Sequence, residues 1–114
     1  MLSGIKSGAK QTGLPMDLDR EWFQTRLDAG VCELSGLPFD LTGYASVGGR
    51  GPNIPSVDRI NPSGGYTKDN CRMILWWLNR AMINLGDEYC LNVFRQIFIK
   101  RGEIAARGRV KMAA

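Results

Sequence analysis

Asn61-Pro62-Ser63-Gly64-Gly65 limits the fold more than any other stretch. Five turn-forming residues in succession end whatever precedes them. Proline carries no backbone donor, asparagine closes loops with its own side chain, and glycine accepts backbone angles that other residues avoid. On one side lies Ser56-Val57-Asp58-Arg59-Ile60, with polar residues set between β-branched Val57 and Ile60, which reads as a strand. On the other, Tyr66 to Asn70 leads into a second short apolar strand, Cys71 to Leu75, with a helix following from Trp76 to about Leu85 and stopped by Gly86. Periodicity alone does not separate that second strand from an early start of the helix. Upstream, residues 42–55 (TGYASVGGRGPNIP) are rich in glycine and proline and form a loop. Loops this long in small domains are often functional.

The remaining segments supply helices. Asp19 is placed to cap a helix running to about Ala29, with Glu21 near its positive end, Trp22, Phe23 and Leu27 as its apolar stripe, and Gly30 as its stop. Val31 to Leu34 reads as a short strand before a Ser35-Gly36 turn. Asp87 is a natural cap for a last helix, Glu88 to Arg101, whose stripe is Tyr89, Val93, Phe94, Ile97 and Phe98 and whose stop is Gly102. The expected fold class is α+β: a small two-stranded element with one helix, flanked by an N-terminal and a C-terminal helix. A chain of 114 residues suits one domain. Its bounds read as a flexible arm over 1–13, a single domain over 14–102 and a basic tail over 103–114.

Composition narrows the chemistry. There is no histidine, which removes Ser-His-Asp and Cys-His catalysis, imidazole metal sites and a histidine base. The three cysteines, Cys32, Cys71 and Cys90, show no paired spacing, as expected of a reduced, cytoplasmic chain without a disulfide framework. The longest apolar run, Met73 to Leu78, is too short to cross a bilayer, and MLSGIKSGAK has no apolar signal region. Charge is uneven: residues 1–40 carry net −2 and residues 41–114 net +6. A basic C-terminal two-thirds suits a polyanion, nucleic acid above all, although solubility explains a modest surplus equally well. GxGxxG and P-loop patterns are absent, and no carboxylate pair has a glycosidase spacing.

The order of residues over 56–82 resembles the HNH endonucleases, the ββα-metal or His-Me finger group. That family has an Asp-His-Ile strand end, a Gly-Gly loop, an Asn, and a His or Asn on the following helix. Here the positions read Asp58-Arg59-Ile60, Gly64-Gly65, Asn70 and Asn79. Phage members are similar in three spaced motifs, which appear as Cys32 to Phe39, Ser56 to Asn61 and Gly65 to Asn70. The resemblance implies a phosphodiesterase acting on DNA, double-stranded by preference, and nicking as a monomer. Asp58 and Asn79 would hold Mg²⁺ or Mn²⁺, and Asn70 would tie the connecting loop in place. Arg59 stands where the family keeps its histidine base, and arginine does not take a proton from water near neutral pH. It would then stabilise charge on the reacting phosphate, with Tyr66, Lys68 or a substrate phosphate orienting the water. Alternatively the base is lost, and the chain is a non-catalytic nucleic-acid-binding module with Arg59 as phosphate clamp. Arg50, Arg72 and Arg80 are candidate phosphate contacts, with a solvated surface as the competing role. The competing role for Asp58 is a plain surface ion pair with Arg59, Arg72 or Arg80, against which its spacing to Asn79 favours the ligand.

Many HNH domains also carry two Cys pairs for zinc. The equivalent positions here are Cys32 and Ser35, then Leu75 and Leu78. Leucine does not ligate zinc, so the expectation is no structural zinc, with Cys32, Leu75 and Leu78 packed as core; Trp76 and Trp77 would add to that packing, with one left near the surface, and base stacking is their alternative role.

Overall fold

The structure, a computed structural model, describes residues 4–6, 13–42 and 51–108. Its elements are α1 (Arg20–Ala29), β1 (Pro55–Arg59), β2 (Cys71–Leu75), α2 (Trp76–Met82) and α3 (Asp87–Ala106). This is an α+β chain with a two-stranded antiparallel sheet. It divides into two compact units, Met1–Ala81 and Met82–Ala114. Among the described residues, no helix is long and apolar enough to cross a membrane.

In the first unit, α1 starts where the Asp19 side chain accepts the Trp22 amide at 2.9 Å. It ends at Gly30, which sits left-handed at φ 72 and donates its amide to Arg26 O, a conformation that costs glycine little. Trp22 and Phe23 meet edge to face at 5.0 Å and are buried with Leu18, Cys32, Phe39, Met73, Ile74, Leu75 and Leu78. The Arg26 guanidinium lies 4.0 Å over the Trp22 ring and pairs with Glu33 at 2.8 Å.

The segment after α1 is a turn, where a strand over Val31–Leu34 is expected. Its ladder is a single bridge, Val31 to Pro38. Cys32 explains the curl: its carbonyl accepts the Gly36 amide at 2.8 Å and its Sγ accepts the Ser35 amide at 3.3 Å. The turn docks on the second edge of β2. The Glu33 amide donates to Met73 O at 3.0 Å, and a Glu33 carboxylate oxygen accepts the Met73 amide.

β1 and β2 pair in the register Pro55↔Leu75, Ser56↔Ile74, Val57↔Met73, Asp58↔Arg72, Arg59↔Cys71. Strand and helix are contiguous at Leu75 and Trp76. At the start of α2, Trp76 and Trp77 donate their amides to Ile54 O and Pro52 O at 2.9 and 3.0 Å, so the loop before β1 satisfies exposed helix donors. The two tryptophans are 42% and 40% exposed, so both, and not one, reach the surface.

In the second unit, Ile83 adopts a left-handed backbone at φ 44, so the helix closes at Met82 and short of Leu85. α3 begins after Gly86, with Asp87 as its first residue and not its cap. It runs through Gly102 to Ala106. An exposed helix interior tolerates a glycine at a cost of only about 1 kcal/mol. Its expected apolar stripe is largely in solvent: Tyr89, Ile97 and Phe98 are exposed and only Cys90 of this helix is buried.

Candidate functional site

The hairpin register sorts the candidate residues before any side chain is considered. Side chains alternate along a strand, so Ser56 and Asp58 share one face with Ile74 and Arg72 opposite them. Val57 and Arg59 lie on the other face, with Met73 and Cys71 opposite. Asp58 and Arg59, neighbours in sequence, therefore point apart.

On the first face, Arg72 Nε donates to Asp58 Oδ2 at 2.8 Å, and both side chains are only 15% exposed. This is the ion pair that the sequence left open among three arginines, and it is closed across the strands. Asn79, in α2, reaches back to the same strand. Its Nδ2 donates to Ser56 Oγ at 2.8 Å and to Val57 O at 3.0 Å. These two bonds fix the plane of the amide and hence the position of its oxygen. Asn79–Ser56 and Arg72–Asp58 are thus two polar pairs carried by one strand face. Sequence reading passed over Ser56 as a site residue, although its period-two spacing from Asp58 was the signal.

The donor chemistry of this face fits a hard divalent cation. Asp58 offers a carboxylate and Asn79 an amide carbonyl, the oxygen donors that Mg²⁺ and Mn²⁺ prefer. Among the described residues, no three of His, Cys, Asp and Glu group together as a metal cage. One or two protein donors, completed by water and phosphate, is the ordinary pattern for Mg²⁺.

On the second face, the Arg59 guanidinium donates Nη1 to Gly64 O at 3.1 Å and lies 4.8 Å over the Tyr66 ring. Both contacts hold the turn. Asn70 completes it: its Oδ1 accepts the Asn61 amide at 2.9 Å, and its Nδ2 donates to Asn61 O and Gly65 O. The two glycines leave room for this network. A Cβ on Gly64 would sit 2.8 Å from Asn70 Nδ2, and one on Gly65 would collide with the Pro15 backbone. The segment that approaches Gly65 is a strap. Met16 bridges Tyr66, Asp17 donates its amide to Tyr66 O and accepts the Lys68 amide at 2.7 Å, and Asp19 pairs with Lys68 Nζ at 2.8 Å. The Lys68 ammonium and the Trp22 amide hold the Asp19 carboxyl below the ordinary carboxylate range, and Asp19 raises Lys68 in return. Tyr66 and Lys68, the residues considered for orienting water, are thus engaged in the loop and the strap.

Arg80 lies with its guanidinium 5.5 Å from the Trp76 ring, on the exposed side of α2. Arg50 falls outside the described residues.

At the zinc-equivalent positions, Cys32 Sγ accepts the Leu75 amide at 3.4 Å. Cys32, Leu75 and Leu78 are buried, and Ser35 is exposed. Burial alone raises the Cys32 thiol, but bonds from the Ser35 side chain and the Ser35, Leu75 and Leu34 amides outweigh it and lower the thiol below its usual value. Cys71 lacks such a set, and burial pushes it up to about 11.

Compared with known proteins, the chain matches no family model, no curated protein and no solved structure.

Proposed function

We propose that the chain is a divalent-metal-dependent endonuclease of the HNH type that hydrolyses phosphodiesters in DNA, nicking as a monomer. One observation carries this reading. A helix residue, Asn79, is tied by its side-chain nitrogen to the strand and face that present Asp58. A helix amide anchored to the strand that carries the carboxylate supports the two-donor arrangement that the resemblance implies.

Asp58 and Asn79 would hold Mg²⁺ or Mn²⁺; the ion, when bound, acidifies its water and polarises the phosphate. The chain's own residues do the rest. Ser56 fixes the Asn79 amide. Arg72 stands beside Asp58 with a guanidinium suited to a phosphate oxygen. Asn70 sets the loop that joins the strands. Arg59 acts through the turn, which separates its role from that of the base whose position it occupies.

The second reading, a non-catalytic nucleic-acid-binding module, draws on that same arginine. Arg59, in the position of the family's base, is directed to Gly64 O and Tyr66 and takes no proton from water near neutral pH.

Supercoiled-plasmid relaxation with Mg²⁺ or Mn²⁺ decides between them. Nicking by the wild type that is lost in Asp58→Ala and Asn79→Ala supports the endonuclease. A folded wild type that shifts duplex DNA and leaves it intact with every metal supports the binding module.

A further inference from the structure

The Asp58–Arg72 pair poses a problem for the function just proposed, on which this inference rests. The carboxylate assigned to the cation already carries one, a guanidinium at 2.8 Å with both partners largely withdrawn from solvent. A pair of this kind is not a loosely solvated surface contact, because each partner is held by the strand register as well as by charge. A metal ion on either oxygen of Asp58 would not leave the Arg72 pair undisturbed. Nor is Arg72 suited to remain between the carboxylate and a dication, since like charges at contact distance repel strongly at low exposure.

We infer that Arg72 is an exchange residue: it neutralises Asp58 until a divalent ion takes the carboxylate, and it then turns to a phosphodiester oxygen of the nucleic acid. The exchange conserves charge pairing on each side. Before it, Asp58 is matched by Arg72. After it, Asp58 is matched by the metal and Arg72 by the DNA backbone. Arginine suits the task because its fork accepts a carboxylate or a phosphate with the same donor geometry. Its place on β2 keeps it on the Ser56, Asp58 and Asn79 face in either state. Metal and DNA therefore help each other bind at this site, as any two ligands that favour the same arrangement must. Arg72 is a phosphate-binding residue in this account and suppresses metal binding in the absence of DNA.

Mn²⁺ binding, followed by the electron paramagnetic resonance of the ion in solution, reads the exchange without any turnover. The proteins are the full chain as wild type, Arg72→Gln, Arg72→Lys and Asp58→Asn, each checked for folding by circular dichroism. If the pair is closed nine-tenths of the time, opening it permanently tightens Mn²⁺ binding about tenfold. Arg72→Gln is expected to show that gain. Arg72→Lys, which keeps the cation and protects the fold, is expected to fall between it and the wild type. Adding a duplex oligonucleotide with Mn²⁺ below its dissociation constant is expected to tighten Mn²⁺ binding to the wild type and leave Arg72→Gln unchanged. Arg72 variants that bind Mn²⁺ like the wild type, while Asp58→Asn has lost it, overturn the exchange and leave the metal site standing. Equal Mn²⁺ binding by the wild type and Asp58→Asn overturns the metal site, and the exchange with it.

Discussion

The two arginines of the hairpin, Arg59 and Arg72, occupy opposite faces and meet opposite kinds of partner. Arg59 finds a carbonyl and an aromatic ring, neutral groups that fix its position. Arg72 finds a carboxylate, which compensates its charge and ties its position to whatever else that carboxylate binds. One face has become a joint that holds the turn; the other holds a closed pair of opposite charges. The difference shows that a functional group in a strand is defined by its parity. Arg59 is one residue from Asp58 yet lies on the other face of the strand, whereas Arg72, fourteen residues away, pairs with it.

The contrast breaks most visibly at Asp58. Asp58→Ala is expected to lower metal-dependent nicking by more than about 100-fold, since even outer residues around a metal cost 10- to 100-fold, with little change in far-ultraviolet circular dichroism. A variant that still nicks would remove the functional meaning of this face.

Asn70→Ala tests the other face, where the effect should fall on folding. Three hydrogen bonds disappear, two of them leaving carbonyls without that donor, and the expected loss is about 2 kcal/mol. Urea unfolding measures it directly. A midpoint close to the wild type would mean that the turn is held mainly by its strap.

Arg59→Ala should be milder. One hydrogen bond and one ring contact are worth about 1 kcal/mol together. Nicking should fall by less than about tenfold, which is about 1.4 kcal/mol of barrier. A larger fall at unchanged stability would return Arg59 to the phosphate and erase the distinction between the faces.

The smallest effect belongs to Asp19, in the strap behind the turn. Its carboxyl titrates below the ordinary range in the folded chain. The stabilisation is therefore complete above the unfolded carboxyl's pKa and fades as pH drops through the lowered folded value. The difference in urea midpoint between the wild type and Asp19→Ala should hold steady from neutrality to about pH 5 and shrink below about pH 4. A constant difference down to acid pH would show that neither Lys68 nor the helix end draws on the charge.

Local chemistry made part of this readable in advance. Asp19 and Gly30 bracket α1, the turn residues separate β1 from β2, and Asn70 closes the loop, because each acts on atoms a few residues away. The packing of Cys32 with Leu75 was reached only through a family resemblance, since nothing near Cys32 in sequence indicates β2. The strap was not readable at all: Gly65 looks like one more turn glycine until Pro15 is seen beside it. The separation of Arg59 from Asp58 was readable and passed over, because motif spelling groups adjacent letters while the strand sends them to opposite sides. α3 misled for another reason. Its apolar spacing fits a buried helix, yet Ile97, Phe98 and Ile99 are exposed, so periodicity reports a helix without reporting what covers it.

The absence of any linker between Leu75 and Trp76 gives this region a strict intolerance to changes in length. Asn79 meets Ser56 only because α2 leaves the strand at a set rotation. One inserted residue at the junction would turn the helix by about 100° and advance it by about 1.5 Å, carrying the amide away from the strand while leaving every letter of the motif intact. The stretch from Ser56 to Asn79 can therefore vary by substitution far more readily than by insertion or deletion between β2 and Asn79. Spacing there is itself a part of the site, as necessary as the carboxylate.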